Sequence, residues 1–289
     1  MKDNVKISII IPTYNRAASI GKTIDTFVGQ DYDDWEMYVV DDMSQDDTRE
    51  VIERYAQRDC RIHYLLNERK KGAQGARNTG LLHSNSEWVV IFDSDDYVYP
   101  NFLSTLLSSV DDNTDVVTCY ARRINVNDNS ENVEHWGGEG NIECGLMTGE
   151  LYVNFDNCLF RKSKLIEIGL LDEDCPAYQE WDTHIRLSRI CNYKQIKRVL
   201  MDYMWGGGDT MSVNPYNNLR GRCYVLWHNR QRLRKVAYES FIGEIKSHFR
   251  RGDLKIKKQL ICAAPEVILY IPLIYLDAVK KYIKRKMRK

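Results

Sequence analysis

The sequence predicts an α/β protein: a mostly parallel central sheet with helices on both faces, followed by a helical C-terminal extension. Two observations point there, and a third, the charge distribution, points to a nucleic-acid or membrane partner for the basic half. Short apolar runs alternate with helical stripes through the first 120 residues. The polar motifs follow those apolar runs directly. Beyond position 200 the chain turns basic, with 7 acidic and 19 basic side chains against 34 and 22 in residues 1–200, so the zero net charge is a sum of two opposed halves.

The elements follow in order. Ile7 to Ile11 is an apolar run ended by Pro12 and reads as a buried strand. Ile20, Ile24, Phe27 and Val28 share one helix face. Residues 35–40 read as a second strand, stopped at Asp41 and Asp42. Residues 48–56 are helical in pattern, 61–66 a third strand and 73–83 a helix. Residues 88–92 form a fourth strand, broken by Asp93. Phe102, Leu103, Leu106, Leu107 and Val110 make another helical stripe, and 116–120 another strand. Repeated strand–helix units imply a parallel sheet covered on both faces. Residues 121–176, rich in Asn, Asp, Glu and Gly, read as loops and short strands. A helical pattern runs from near Gln179 to about Cys191, and 217–250 is mostly helical. The expected organisation is a body of residues 1–215, with halves of about 1–120 and 121–215, and a helical region of 216–289.

Gross features narrow the function. Met1 to Lys6 is polar and the apolar run after it is short, so no secretory signal is expected. The eight cysteines are scattered without a CxxC pair and read as buried free thiols of a reducing compartment. The body is acidic and no recognition motif accompanies the basic end, which argues against a nucleic-acid partner.

The chemistry sits after the strands. In an open parallel sheet the strand carboxyl ends share one edge, and ligands bind there. Pro12-Thr13-Tyr14-Asn15, Asp41-Asp42 and Asp93-Ser94-Asp95-Asp96 all fall at that edge. Three carboxylates in four residues repel one another unless a cation is present; oxygen ligation suits Mg²⁺ or Mn²⁺ holding a diphosphate. A solvated acidic turn is the plain alternative. One carboxylate of Asp41-Asp42 suits the imide N–H of a uracil, with Tyr14 stacking on the base; an Asx turn before a helix cap is the alternative. In 70–80 the glycines at 72, 75 and 80 do not make GxGxxG. Arg77 there offers a planar fork either to a phosphate or to one of the acidic loops.

The runs IIIPTYNR, VVDDMSQDDT, GAQGARNTG and VVIFDSDDYVYP, in this order, resemble the inverting family 2 glycosyltransferases over roughly residues 5–205. The resemblance implies a GT-A fold, a nucleotide-sugar donor and a divalent cation, Mn²⁺ or Mg²⁺. It places Pro12, Tyr14, Asp42, Arg77, Asp93 and Ser94 at the nucleotide, with Asp93 and Asp95 as the DxD pair on the metal. The family's later acidic pair corresponds to Gln179-Glu180 here. Glu180 is the expected general base and Asp182 the reserve; each also fits an ordinary acid in a first helical turn. Trp136, Trp181 and His184 are candidates for an acceptor site or for core packing. Residues 205–212 form either a glycine-rich loop closing over the diphosphate or a plain connector. The absence of QxxRW in the sequence implies transfer of one sugar per acceptor.

Residues 260–276 are mostly apolar but contain Glu266, Pro265 and Pro272. A spanning helix needs ~20 apolar residues, so an interfacial helix is expected. Seven of the last ten residues are Lys or Arg. Together they predict reversible attachment to an anionic membrane, at the cytoplasmic face, and a lipid-linked or surface-glycan acceptor. A helix docked on the body is the alternative. Two other functions stay open. A sugar nucleotidyltransferase needs a basic, glycine-rich loop where Thr13-Tyr14-Asn15-Arg16 stands. A non-catalytic nucleotide-sugar-binding subunit at the membrane would bind without turnover.

Overall fold

The computed structural model describes residues 6–206 and 215–229. The chain divides into two compact units, residues 1–174 with 179–208, and residues 175–178 with 209–289.

The first unit opens with β1 (Ile7–Thr13), α1 (Ile20–Val28), β2 (Trp35–Asp41), α2 (Thr48–Ala56), β3 (Ile62–Leu66), α3 (Ala73–His83) and β4 (Trp88–Ile91). It continues through β5 (Tyr97–Val98), α4 (Phe102–Ser108), β6 (Val116–Asn125), β7 (Glu131–Glu134), α5 (Glu143–Thr148) and β8 (Cys158–Arg161). It closes with α6 (Lys162–Glu167), α7 (Gln179–Leu187) and β9 (Tyr193–Trp205). The nine strands form one sheet in the order β3-β2-β1-β4-β8-β6-β9-β5, with β7 on β6. β3, β2, β1 and β4 are parallel, as are β6 and β9. β8 is antiparallel to both β4 and β6, and β5 is antiparallel to β9.

The parallel half follows from the sequence. β1 and β2 are buried at every position, as strands covered on both faces must be. α1 turns Ile20, Ile24 and Phe27 inward. Phe27 meets Phe92 edge-on at 5.0 Å, an arrangement the aromatic quadrupoles favour. α3 packs against β1 and β2, and Gly80 permits it: a Cβ there would lie 2.5 Å from Ile10 Cγ2. At Gly75 a Cβ would lie 1.9 Å from the Lys70 carbonyl oxygen. The small residues of α3 therefore serve close backbone packing.

The structure corrects several sequence expectations. β1 continues through Pro12 to Thr13. β6 runs to Asn125, because β7 and β9 both pair with its extension. β9 had no counterpart in the sequence reading. Its register against β6 shifts on either side of Tyr120, and this bulge breaks the two-residue alternation that marks a strand. Cys60 and Cys144 are exposed rather than buried.

In the second unit the described helix is α8 (Pro215–His228), which begins on a proline as first turns allow. Arg222 Nε donates to the Tyr178 hydroxyl at 2.6 Å. The expected helix beyond residue 229, the apolar run 260–276, the basic end 280–289 and most of the loop 205–212 lie outside the described residues.

Candidate active site

Two strand-end loops are laced together. The Asn15 N–H donates to Ser44 Oγ (2.8 Å) and the Gln45 N–H to Asn15 Oδ1 (2.8 Å). The Arg16 N–H donates to Thr48 Oγ1 (2.7 Å) and the Ala17 N–H to Asp46 Oδ2 (3.1 Å). Asn15 (φ 52°) and Met43 (φ 67°) hold left-handed backbone, a costly state that such bonds sustain. Pro12 is buried in β1 just before these turns, while Tyr14 stands 42% exposed with Lys71 Nζ 5.0 Å from its ring centre.

The two acids at the end of β2 are both buried and both bonded. Asp41 accepts from Ser44 N–H and Oγ and from the Tyr64 hydroxyl. Asp42 accepts from Asn67 Nδ2 at 2.6 Å and from the Gly72 N–H at 2.8 Å. Gly72 sits at φ 128°, a conformation glycine alone takes readily. Asp42 thus fixes the entry to α3.

That helix delivers Arg77, 2% exposed. Its Nη2 donates to Asp93 Oδ1 at 2.6 Å. Its Nη1 donates to Gln74 Oε1 (2.9 Å) and to Gln179 Oε1 (3.1 Å), the first residue of α7. The ring of Phe155 lies 4.9 Å from the guanidinium carbon. Of the two roles open to Arg77, the structure places it with the acidic loop.

The acidic turn after β4 has two exposed and two buried sides. Asp93 and Asp95 are partly open to solvent, and Arg16 Nη2 lies 3.8 Å from Asp95 Oδ2. Burial, then repulsion from Asp93, raises the Asp95 carboxyl above its ordinary range. Ser94 and Asp96 are buried. Asp96 accepts the Met204 N–H at 2.7 Å and is pushed well up by burial and by Asp156. Asp156, fully buried, accepts the Asp93 N–H at 2.6 Å and is also pushed well up. Sequence reasoning missed Asp156 and Tyr203; the latter's hydroxyl is raised by burial and by Asp96, Asp156, Asp93 and Glu180, so it adjoins the same acids.

Glu180 is half-buried on the first turn of α7. Burial raises its carboxyl, Asp93 adds to that, and Arg77 opposes it. Asp182 is 3% exposed and paired with Arg186 at 2.9 Å. Arg186 in turn donates to the carbonyls of Ile168 and Leu170. Asp182 therefore anchors α7 to the turn after α6.

The other aromatic candidates divide. Trp181 is buried and donates to the Leu146 carbonyl. His184 is fully buried among Phe155, Phe160 and Tyr193, and bonds the Tyr193 hydroxyl at 2.9 Å. Both are core groups. Trp136 is half-buried, edge-on to Tyr152 and Tyr203. Burial lowers the His184 pKa to about 3. The unfolded chain, with an ordinary value near 6.5, takes up the proton first. The stability His184 contributes is therefore present above pH ~6.5 and is lost as pH falls toward 3, by up to about 1.4 kcal/mol per pH unit. Urea midpoints from pH 7 to 4 should fall less steeply in His184→Phe; equal slopes would clear His184 of this role.

Among the described residues no three His, Cys, Asp or Glu side chains are grouped to hold a metal ion. Asp93 and Asp95 offer two oxygen donors that repel one another, with the Arg77 guanidinium on Asp93 and that of Arg16 3.8 Å from Asp95. Such a pair fits a hard divalent cation that takes its remaining ligands from water and a diphosphate.

A parallel half-sheet with an acidic turn at its strand ends, faced by an arginine and a second acidic helix, defines a GT-A architecture. The fold matches S. aureus TarS 1–349 solved with UDP-GlcNAc, with TM-score 0.68 and 18% identity over 92% of this chain and 82% of that one. It also matches a Pyrobaculum calidifontis mannosyltransferase solved with GDP-Man and Mn²⁺, with TM-score 0.63 and 17% identity over 97% and 85% of the two chains. The chain belongs to glycosyl transferase family 2, whose model matches residues 8–169. A GalNAc(5)-diNAcBac-PP-undecaprenol beta-1,3-glucosyltransferase of Campylobacter jejuni is 39% identical over 37% of this chain and 35% of its own length. A UDP-Glc:alpha-D-GlcNAc-diphosphoundecaprenol beta-1,3-glucosyltransferase of Escherichia coli is 40% identical over 37% of this chain and 41% of its own. The matched stretch thus spans well under half of these relatives.

Proposed function

We propose that this protein transfers a single sugar from a UDP-sugar to a hydroxyl of a lipid-linked glycan, with inversion at the anomeric carbon. The observation that carries this reading is the meeting of Asp93 and Glu180 at the buried Arg77, with Arg16 of the Tyr14 loop 3.8 Å from Asp95 and Asp42 bonded to Gly72 at the start of the helix that carries Arg77. The exposed Tyr14 ring stacks on the base. Asp42 keeps lone pairs beyond its two accepted bonds, enough to receive an imide N–H. Pro12 and Ser94, both buried, hold the backbone of the two loops that flank the diphosphate. Asp93 and Asp95 would hold the cation. Bound Mn²⁺ or Mg²⁺ would neutralise charge on the departing diphosphate. Glu180 takes the proton from the acceptor hydroxyl as its oxygen attacks the anomeric carbon; its raised pKa strengthens it as a base. Asp182 is committed to Arg186, which leaves Glu180 to act.

The lipid-linked acceptor is supported by the undecaprenol-linked substrates named for the relatives. The seven basic residues at the chain end support a peripheral site at the inner membrane surface. Among the described residues no helix is long and apolar enough to cross a membrane. Calorimetry with UDP, with and without Mn²⁺, tests the donor site. Binding should strengthen with the cation, and Asp95→Ala should abolish that gain; an unchanged gain removes Asp95 from the metal. Transfer or hydrolysis across a panel of nucleotide sugars then tests catalysis, and binding without any turnover would favour a non-catalytic subunit.

A further inference from the structure

The segment just before β8 underlies the acidic turn. Phe155 and Asp156 are both fully buried. Phe155 presents its ring to the Arg77 guanidinium, and Asp156 accepts the Asp93 N–H at 2.6 Å. The segment is itself fixed: Asn157 Nδ2 donates to the carbonyls of Cys119 (2.6 Å) and Trp136 (3.1 Å), and Asn154 Oδ1 accepts the Phe155 N–H (2.7 Å). The far end of the turn is tied by the Met204 N–H to Asp96. The turn is therefore clamped at both ends by buried carboxyl groups, and the clamp at Asp93 comes from 63 residues away in sequence.

We propose that Asp156 is a positioning residue for the donor diphosphate. By accepting the Asp93 N–H it fixes the peptide from which the Asp93 carboxylate projects. That carboxylate then stays on Arg77 with its open side toward the diphosphate and cation. An N–H left without an acceptor away from water carries a desolvation cost, which favours any shift of the peptide that finds it a partner. Nothing about Asp156 requires it to touch the ligand, and the inference rests on the donor site proposed above.

The test is UDP calorimetry with and without Mn²⁺ on Asp156→Asn and Asp156→Leu. Asn keeps the shape and an oxygen acceptor; Leu keeps the bulk and removes the acceptor. The expected result is a cation-dependent gain in UDP affinity kept within about threefold in the Asn variant. In the Leu variant the gain falls about tenfold or more while affinity for UDP alone holds. A merely structural role would lower the melting temperature and leave the cation-dependent gain untouched. A full gain in folded Asp156→Leu overturns the proposal, as does a loss in Asp156→Asn equal to that in Leu. If the Leu variant does not fold, Asp156→Ala takes its place: a gain that falls about tenfold or more supports the role, and a full gain overturns it. A native protein whose UDP binding ignores Mn²⁺ removes the donor site itself, an outcome seen before any variant is made.

Discussion

Glu180→Gln is expected to leave UDP binding intact and to cut the transfer rate by roughly 10²–10⁴-fold, the usual size of a general-base contribution. The change is nearly isosteric and removes only the ability to take a proton. Glu180 lies near Arg77 and Asp93, and burial outweighs the arginine, so its carboxyl titrates above the ordinary glutamate range. The base must be ionised to act. The acid limb of kcat/KM should therefore fall at a higher pH than a solvated glutamate would give, and the variant should lose that limb. Asp182→Asn serves as the contrast. Its carboxylate is bound to Arg186, so its substitution should cost stability more than rate. A full-rate Glu180→Gln enzyme would end the assignment.

Arg77→Met is expected to destabilise the fold by about 3–5 kcal/mol, the usual result of removing one partner of a buried ion pair. Arg77 is 2% exposed, and its guanidinium feels Asp93, Glu180 and Asp156. Without it Asp93 loses its 2.6 Å guanidinium partner, and α7 loses the bond from Arg77 to Gln179. At this size the melting temperature should drop by roughly 10 °C. Arg77→Lys should fall between, since an ammonium keeps the charge and gives up the planar fork that reaches Asp93, Gln74 and Gln179 together. Chemical denaturation of the two variants measures both effects. An unshifted Arg77→Met midpoint would mean that the cluster does not depend on this charge.

The parallel half of the fold was legible because its cues are local. Apolar runs stop abruptly at Asp41 and Asp93, and α2 and α3 begin and end where the sequence places them. The strand-end rule brought Tyr14, Asp42 and Asp93 to one edge without coordinates. What stayed hidden depends on distant partners. β9 carries Lys197 and Arg198 among its apolar residues and a register shift opposite them, so its period is blurred. Asp156 sits in an irregular run of Asn and Phe and binds a backbone N–H, a group that no residue code announces. Arg77 was visible as a planar donor, but whether it served ligand or protein turned on which loop lay within reach. His184 and Trp181 share a helix with Glu180, and only burial separates core from site.

The four bonds joining residues 15–17 and 45 to the opposite loop carry one more consequence. Neither loop is an independent module. Asn15 both gives to Ser44 and receives from Gln45, so each half supplies the other's template. Anyone seeking to exchange either loop between homologous enzymes would have to graft both pieces as a single cassette. For the same reason natural variation at Asn15, Ser44, Asp46 and Thr48 should proceed by paired change, one position answering another across the gap between two strands.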